Sequence, residues 1–216
     1  EGVRALCDKY GIKWIADEVM SGFGRTGKWF AYQHSAAEPD LIVFAKGVNS
    51  GYVPLGGVII SDEIAATFSD QVFPGGLTYS GHPLATAAAV ATLDVMADEK
   101  IVENAALMGE KVIKPLLEDL MSKHKVIGEI RGKGVFWALD LVTDRATRAP
   151  LAPYGASSPA MNELVAACKK LGLFPFNNYN RMHICPPCNI SEAELREGFA
   201  ILDQAFASIA HHYTGA

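Results

Sequence analysis

The chain has 216 residues, half of them apolar and 20 % charged, enough to bury one large core or two small ones. Its net charge is −5, with acidic and basic residues interspersed, so it lacks the basic run a nucleic-acid surface needs. No apolar stretch approaches the ~20 residues of a membrane-spanning helix, Glu1-Gly2-Val3-Arg4 is not a signal peptide, and four cysteines make no disulfide framework, which together predict a reducing, cytoplasmic address.

The chain opens without methionine in a helical pattern (Val3, Leu6, Cys7, Tyr10) that Gly11 stops, and it reads as the later part of something longer. To about Ser61, short continuous apolar runs (Trp14 to Val19, Leu41 to Phe44, Val58 to Ser61) alternate with glycine-rich loops, the pattern of strands covered on both faces. The alanine-rich stretch Pro83 to Met96 predicts a buried helix. A longer helix runs from Lys100 to about Lys123, with Ile101, Ala105, Met108, Val112, Leu116 and Leu120 on one face, and Pro115 should kink it by removing an amide donor.

After Lys125 two strands are expected, Val126 to Arg131 and Gly134 to Val142, joined by Gly132-Lys133. A later helix has Ser158 as cap and Pro159 at its first position. The last opens with the capping box Ser191-Glu192-Ala193-Glu194 and runs to about His211. The domain boundary is expected inside the long helix, dividing the chain into residues 1–110 and a smaller α+β unit, residues 111–216.

Three motifs have bland readings. Gly22-Phe23-Gly24-Arg25-Thr26-Gly27 fits the dinucleotide pattern, but Lys28-Trp29-Phe30-Ala31-Tyr32 offers neither cap nor helical period, and a phosphate-cradling loop must run into a helix. Cys185-Pro186-Pro187-Cys188 has no second cysteine pair to complete a zinc site and reads as a rigid turn after a strand. His211-His212 reads as a solvated helix end, because adjacent residues do not share a helix face, so no metal site is expected.

Lys46 is different. It follows the apolar run Asp40-Leu41-Ile42-Val43-Phe44-Ala45 and enters the flexible stretch Gly47-Val48-Asn49-Ser50-Gly51. An earlier run, Lys13-Trp14-Ile15-Ala16, ends in Asp17-Glu18-Val19, so an acid and a lysine sit at successive strand ends. Taken alone, the acids cap a loop and the lysine is a surface residue. The later segment Gly75-Gly76-Leu77-Thr78-Tyr79-Ser80-Gly81-His82-Pro83 adds hydroxyl and amide donors. Amine, carboxylate and phosphate donors are the three things pyridoxal 5′-phosphate (PLP) needs: a Schiff base, a protonated ring nitrogen and an anion cradle.

In these stretches the chain resembles the class III, or omega, aminotransferases of the fold-type I PLP enzymes, in order and with family-like spacing over essentially its whole length. The resemblance implies an α/β fold: residues 1–110 as the C-terminal part of the PLP-binding large domain, with a partial, mostly parallel mixed sheet, and residues 111–216 as a small C-terminal domain. It implies Lys46 as the Schiff-base lysine, Asp17 against the pyridinium nitrogen and Val19 on the ring face. Thr78 would reach the phosphate of the cofactor held by the other subunit, which implies a homodimer with shared active sites.

Many relatives have glutamine where this chain has Met20, a methionine also usual in the aminomutase branch. The position of their substrate-carboxylate arginine is His183 here. Arg181 shares its face if the segment is a strand, and is the substrate-binding candidate. Gly27-Lys28-Trp29-Phe30 and Pro186-Pro187 look most like the branch acting on omega-amino acids, taurine or simple amines with pyruvate as acceptor. The expected activity is therefore amino transfer from such an amine to a keto acid, with small molecules as partners and neither nucleic acid nor membrane. The alternatives are an aminomutase or other PLP enzyme on the same fold, or an inactive fragment needing a complementary N-terminal segment, since family members are normally much longer.

Overall fold

The computed structural model describes residues 1–215, and its chain divides into the units Glu1–Glu103 and Asn104–Ala216. In the first unit, α1 (Gly2–Tyr10) ends where the Gly11 amide closes on the carbonyls of Asp8 and Cys7. Gly11 has φ +63°, a left-handed turn that glycine enters without a Cβ penalty.

Three strands follow, β1 (Ile15–Asp17), β2 (Leu41–Phe44) and β3 (Gly57–Ile60), in the order β1-β2-β3. β1 lies parallel to β2, with Ile15 opposite Leu41 and Asp17 opposite Val43, while β3 runs antiparallel to β2. The parallel pairing brings the C-terminal ends of β1 and β2 to the same end of the sheet, from which the Asp17 and Lys46 segments leave.

Asp40 fixes that register at the other end. Its carboxylate accepts the Trp14 amide (2.8 Å) and the Arg4 guanidinium (2.7 Å), and the Asp40 and Leu41 amides donate to the Trp14 carbonyl. The short α2 (Asp62–Ala66) is capped by Ser61, and α3 (Pro83–Asp98) by His82, whose Nδ1 accepts the Leu84 amide. The core of this unit is a small cluster of Phe23, Val48, Ala89, Met96 and Val102, with Phe30 and Phe44 edge-on to Phe23.

Two expectations fail here. The strands are not covered on both faces, since Ile15, Val58, Ile59 and Ile60 are exposed, and α3 is not a buried helix, since Leu84, Val90 and Val95 are exposed. The reason is the size of the cluster, which takes only Ala89 and Met96 from α3, with Leu93 partly buried against it.

The division between the units falls inside α4 (Ile101–Met108), which continues through a π-turn, Gly109–Ile113, into α5 (Lys114–Lys123). Pro115 offers no amide, and the helix widens just before it to absorb the missing donor. The widening shifts the buried face, so Ile113 and Leu117 join Ala105, Met108, Val112 and Leu120, whereas Leu116 is only partly buried. Gly109 is required there: a Cβ would stand 2.1 Å from the Gly134 carbonyl oxygen.

The second unit carries β4 (Ile127–Lys133), β5 (Phe136–Asp144), β6 (Ala149–Pro150), β7 (Phe176–Asn178) and β8 (Arg181–Ile184), in the antiparallel order β4-β5-β8-β7 with β6 on β5. The β4–β5 turn lies at Gly134-Val135, later than expected, because Gly132 and Lys133 remain paired with Trp137 and Phe136. α6 (Pro159–Lys170) has its Ser158 cap on the Met161 amide, and α7 (Glu192–Ser208) its reciprocal Ser191–Glu194 box. Leu117, Leu139, Leu141, Met161, Leu164, Met182 and Phe206 fill the core between sheet and helices. Among the described residues no helix is long and apolar enough to cross a membrane.

Candidate active site

After β2 the backbone turns sharply. Ala45 is extended and Lys46 takes φ +47°, starting a single 3-10 turn, Lys46–Asn49. A side chain in this left-handed region costs on the order of 1–3 kcal/mol and persists only where the surroundings enforce it. They do so here: Val48 and Asn49 are buried, Asn49 accepts the Gly51 amide (3.3 Å) and donates to the Val53 carbonyl, and a Cβ on Gly47 would meet Phe23 Cβ at 2.8 Å. The turn is thus anchored from beneath while the Lys46 side chain stays exposed, its Nζ 3.1 Å from Met20 Sδ. Among the described residues Lys46 has no ion pair.

The chain leaving β1 supplies the other wall. Successive residues of an extended chain point to opposite sides, so Asp17 and Glu18 part company. Asp17 is exposed, and its only side-chain hydrogen bond among the described residues is from the Val19 amide to Oδ1 (3.1 Å). Glu18 is 3 % exposed and accepts the Ser21 hydroxyl (2.5 Å), the Ala31 amide (2.9 Å) and the Tyr32 amide (2.8 Å). Its own amide donates to the Val43 carbonyl, carrying the parallel pairing one residue beyond the strand.

Glu18 therefore organises the whole Ser21–Tyr32 loop. No helix follows Gly27, as expected of a loop that does not cradle a dinucleotide; a 3-10 turn, Ala31–His34, comes instead. The buried role of Glu18 and the place of Phe23 beneath the lysine turn were not foreseen. The available signal was the strand alternation that turns one of two neighbouring acids inward.

The structure brings Asp17, Val19, Met20 and Lys46 to one end of the three-stranded sheet. It does not bring Thr78 to them: Thr78 lies in an exposed turn leading to the α3 cap. Arg181 lies on β8 opposite Asp140, and shares a face with His183 while Met182 points into the core. Burial, and then the Arg181 charge, hold the His183 imidazole below its ordinary pKa. His183 also stacks obliquely on Phe176, ring centroids 5.1 Å apart.

Asp40, which sets the β1–β2 register, has its pKa lowered by the Arg4 hydrogen bond first and the Trp14 amide second. A depressed folded-state value means that its stabilisation is present above the ordinary aspartate range and is lost as pH falls through the lower folded value. Urea midpoints of wild type and Asp40→Asn should therefore differ at pH 7 and converge below about pH 4; an undiminished difference at pH 3 would assign the effect to something other than the carboxylate.

The family model for class III aminotransferases matches residues 1–206. The chain is 36 % identical to a taurine–pyruvate aminotransferase of Bilophila wadsworthia over 97 % of its own length and 47 % of the relative's, and 39 % identical to the 4-aminobutyrate aminotransferase GabT of Escherichia coli over 94 % and 46 %. It superimposes with a TM-score of 0.93 and 45 % identity on the solved taurine:2-oxoglutarate aminotransferase of Bifidobacterium kashiwanohense, determined in complex with PLP and glutamate, covering 98 % of this chain and 47 % of that one. The chain thus spans about half the length of the relatives it matches. Its mixed α/β architecture is a part of the fold-type I transaminase fold, and the chain belongs to the class III aminotransferases.

Proposed function

We propose that this chain forms part of a PLP-dependent aminotransferase that moves an amino group from an omega-amino acid, taurine or a simple amine to a keto acid such as pyruvate. The observation that carries this reading is the exit of Asp17 and Lys46 from the same end of a parallel strand pair, with the Lys46 amine held at Met20 rather than at an acid. The donor set fits the cofactor: an exposed primary amine on an anchored turn, a carboxylate with one oxygen uncommitted, and Val19 between them in sequence.

When bound, PLP supplies an electron sink for the pair left at the substrate carbon. Asp17 holds a negative charge that keeps a proton on the ring nitrogen. Lys46 Nζ would hold the cofactor and, as a free amine, would take the proton from the amine-bearing carbon of the substrate. Val19 would pack on the ring, Arg181 would receive the acidic group of the substrate, and Thr78 would serve the phosphate in the other subunit of a homodimer, a role that fits its exposed turn. Residues 1–110 and 111–216 are then the cofactor-binding and small domains. The taurine, 5-aminovalerate, 4-aminobutyrate and putrescine aminotransferases among its relatives support an omega-amino donor.

With PLP-loaded protein, a panel of those four amines against pyruvate and 2-oxoglutarate should release alanine or glutamate. Asp17→Ala should still bind PLP yet lose roughly 100-fold or more of the rate, the scale of removing one preorganised electrostatic contact. An unchanged rate would place the acid elsewhere. Turnover without any keto acid would favour an aminomutase instead.

A second reading has its own observation. Ile15, Val58, Ile59 and Leu84 expose apolar surface on the unit that carries Lys46. On this reading the chain acts only when further polypeptide completes that unit, and the purified chain alone should show no cofactor band that borohydride can fix.

A further inference from the structure

Glu163, His211 and His212 come together in the second unit, away from the motifs carrying the family resemblance. Glu163 lies on α6, and the histidines on the 3-10 turn Ala210–His212 that follows α7. The expectation that adjacent histidines point apart holds for an α-helix, where neighbours are ~100° apart. It fails here because α7 stops at Ser208: in the tighter turn the rings lie with centroids 4.0 Å apart, tilted by 37°.

His212 Nε2 is 3.0 Å from Glu163 Oε2, and His211 Nε2 is 3.8 Å from the same oxygen. One ligand atom from each of the three residues falls within 4.8 Å of the others. An ion bonding such atoms at its usual length of ~2.0–2.2 Å holds neighbouring ligands about 3–3.5 Å apart, so small side-chain adjustments suffice to seat one.

The tautomer is prepared as well. His211 Nδ1 lies 3.2 Å from the Ser208 carbonyl, which can only accept, so Nδ1 donates there and Nε2 is the nitrogen whose lone pair an ion would take. At His212 the proton between Nε2 and Glu163 is the one an ion would displace, passing to Nδ1 of a neutral ring or to water from a charged one.

From this geometry we infer that Glu163, His211 and His212 form a binding site for a zinc-like divalent transition-metal ion, which ties the turn after α7 to α6. Two imidazoles and one carboxylate suit zinc, nickel or cupric ions and disfavour magnesium or calcium. Glu163 and His211 are open to solvent, so water completes the coordination.

The test is calorimetric titration of chelator-treated protein with zinc chloride, for wild type, His211→Ala/His212→Ala, Glu163→Gln and Cys185→Ser/Cys188→Ser. One equivalent should bind to wild type and to the cysteine variant alike, at least tenfold more weakly to the double-histidine variant and measurably more weakly to Glu163→Gln. Zinc should raise the melting temperature of the wild type but not of the double-histidine variant. Crystals soaked in zinc should show an anomalous peak at the zinc edge among the three side chains. Equal binding by wild type and the double-histidine variant, or loss of binding in the cysteine variant, would overturn the site.

Discussion

On the proposed function, replacing Lys46 by alanine should abolish amino transfer, by at least about 10³-fold, and remove the absorbance of a lysine-bound cofactor while the fold persists. The fold persists because nothing structural hangs on the side chain. Among the described residues its Nζ has a polar contact only with Met20 Sδ, and the turn is held from beneath by Asn49, Val48 and the Gly47–Phe23 contact. Alanine keeps a Cβ and therefore keeps the left-handed strain, whereas Lys46→Gly relieves it. The two variants should thus be equally inactive, with the glycine variant the more stable by up to about 1 kcal/mol. Borohydride treatment followed by intact-mass measurement checks the chemistry: the wild type gains the mass of the cofactor and neither variant does. Full activity in Lys46→Ala would end the proposed mechanism, and equal melting temperatures for the two variants would remove the claim of backbone strain.

The parts of the molecule legible in the sequence are those whose cause is local. Ser158 before Pro159 and the Ser191–Glu194 box contain their own hydrogen-bond partners, and the structure has both caps in place. Gly11 likewise stops its helix within one residue. What failed depends on partners distant in sequence. Gly132-Lys133 has turn composition, yet it stays in the strand because Trp137 packs on Gly132, where a Cβ would fall 2.5 Å from the indole. The alanine-rich α3 forms its helix, but how much of it is buried depends on what packs on it, and alanine carries no mark of that. For the candidate site, Asp17 and Lys46 stand out by their order along the chain, and the parallel β1–β2 pairing sets both at one end of the sheet. The division of labour between Asp17 and Glu18 was not legible, because two adjacent carboxylates differ only in which side of the strand they leave.

That division predicts opposite phenotypes for neighbouring residues. Glu18→Ala should destabilise the protein by about 3 kcal/mol, since a buried carboxylate leaves with three donors on it, and the Ala31 and Tyr32 amides lose a charged acceptor worth ~1.5–3 kcal/mol each, partly refilled by water. Against a typical total of ~5–15 kcal/mol that is a large fraction. Glu18→Gln should recover only part, because its NH2 group must face the Ala31 or the Tyr32 amide, neither of which can accept. Asp17→Ala, at an exposed position, should stay within about 0.5 kcal/mol of wild type while losing its rate. Loosening the Ser21–Tyr32 loop also frees Phe23, on which the lysine turn rests, so Glu18→Ala should weaken PLP binding as well as stability. Urea denaturation and cofactor titration of the three variants read both effects. A loss below about 1 kcal/mol in Glu18→Ala would mean that the loop, and the lysine above it, are held by apolar packing around Phe23 rather than by the buried acid.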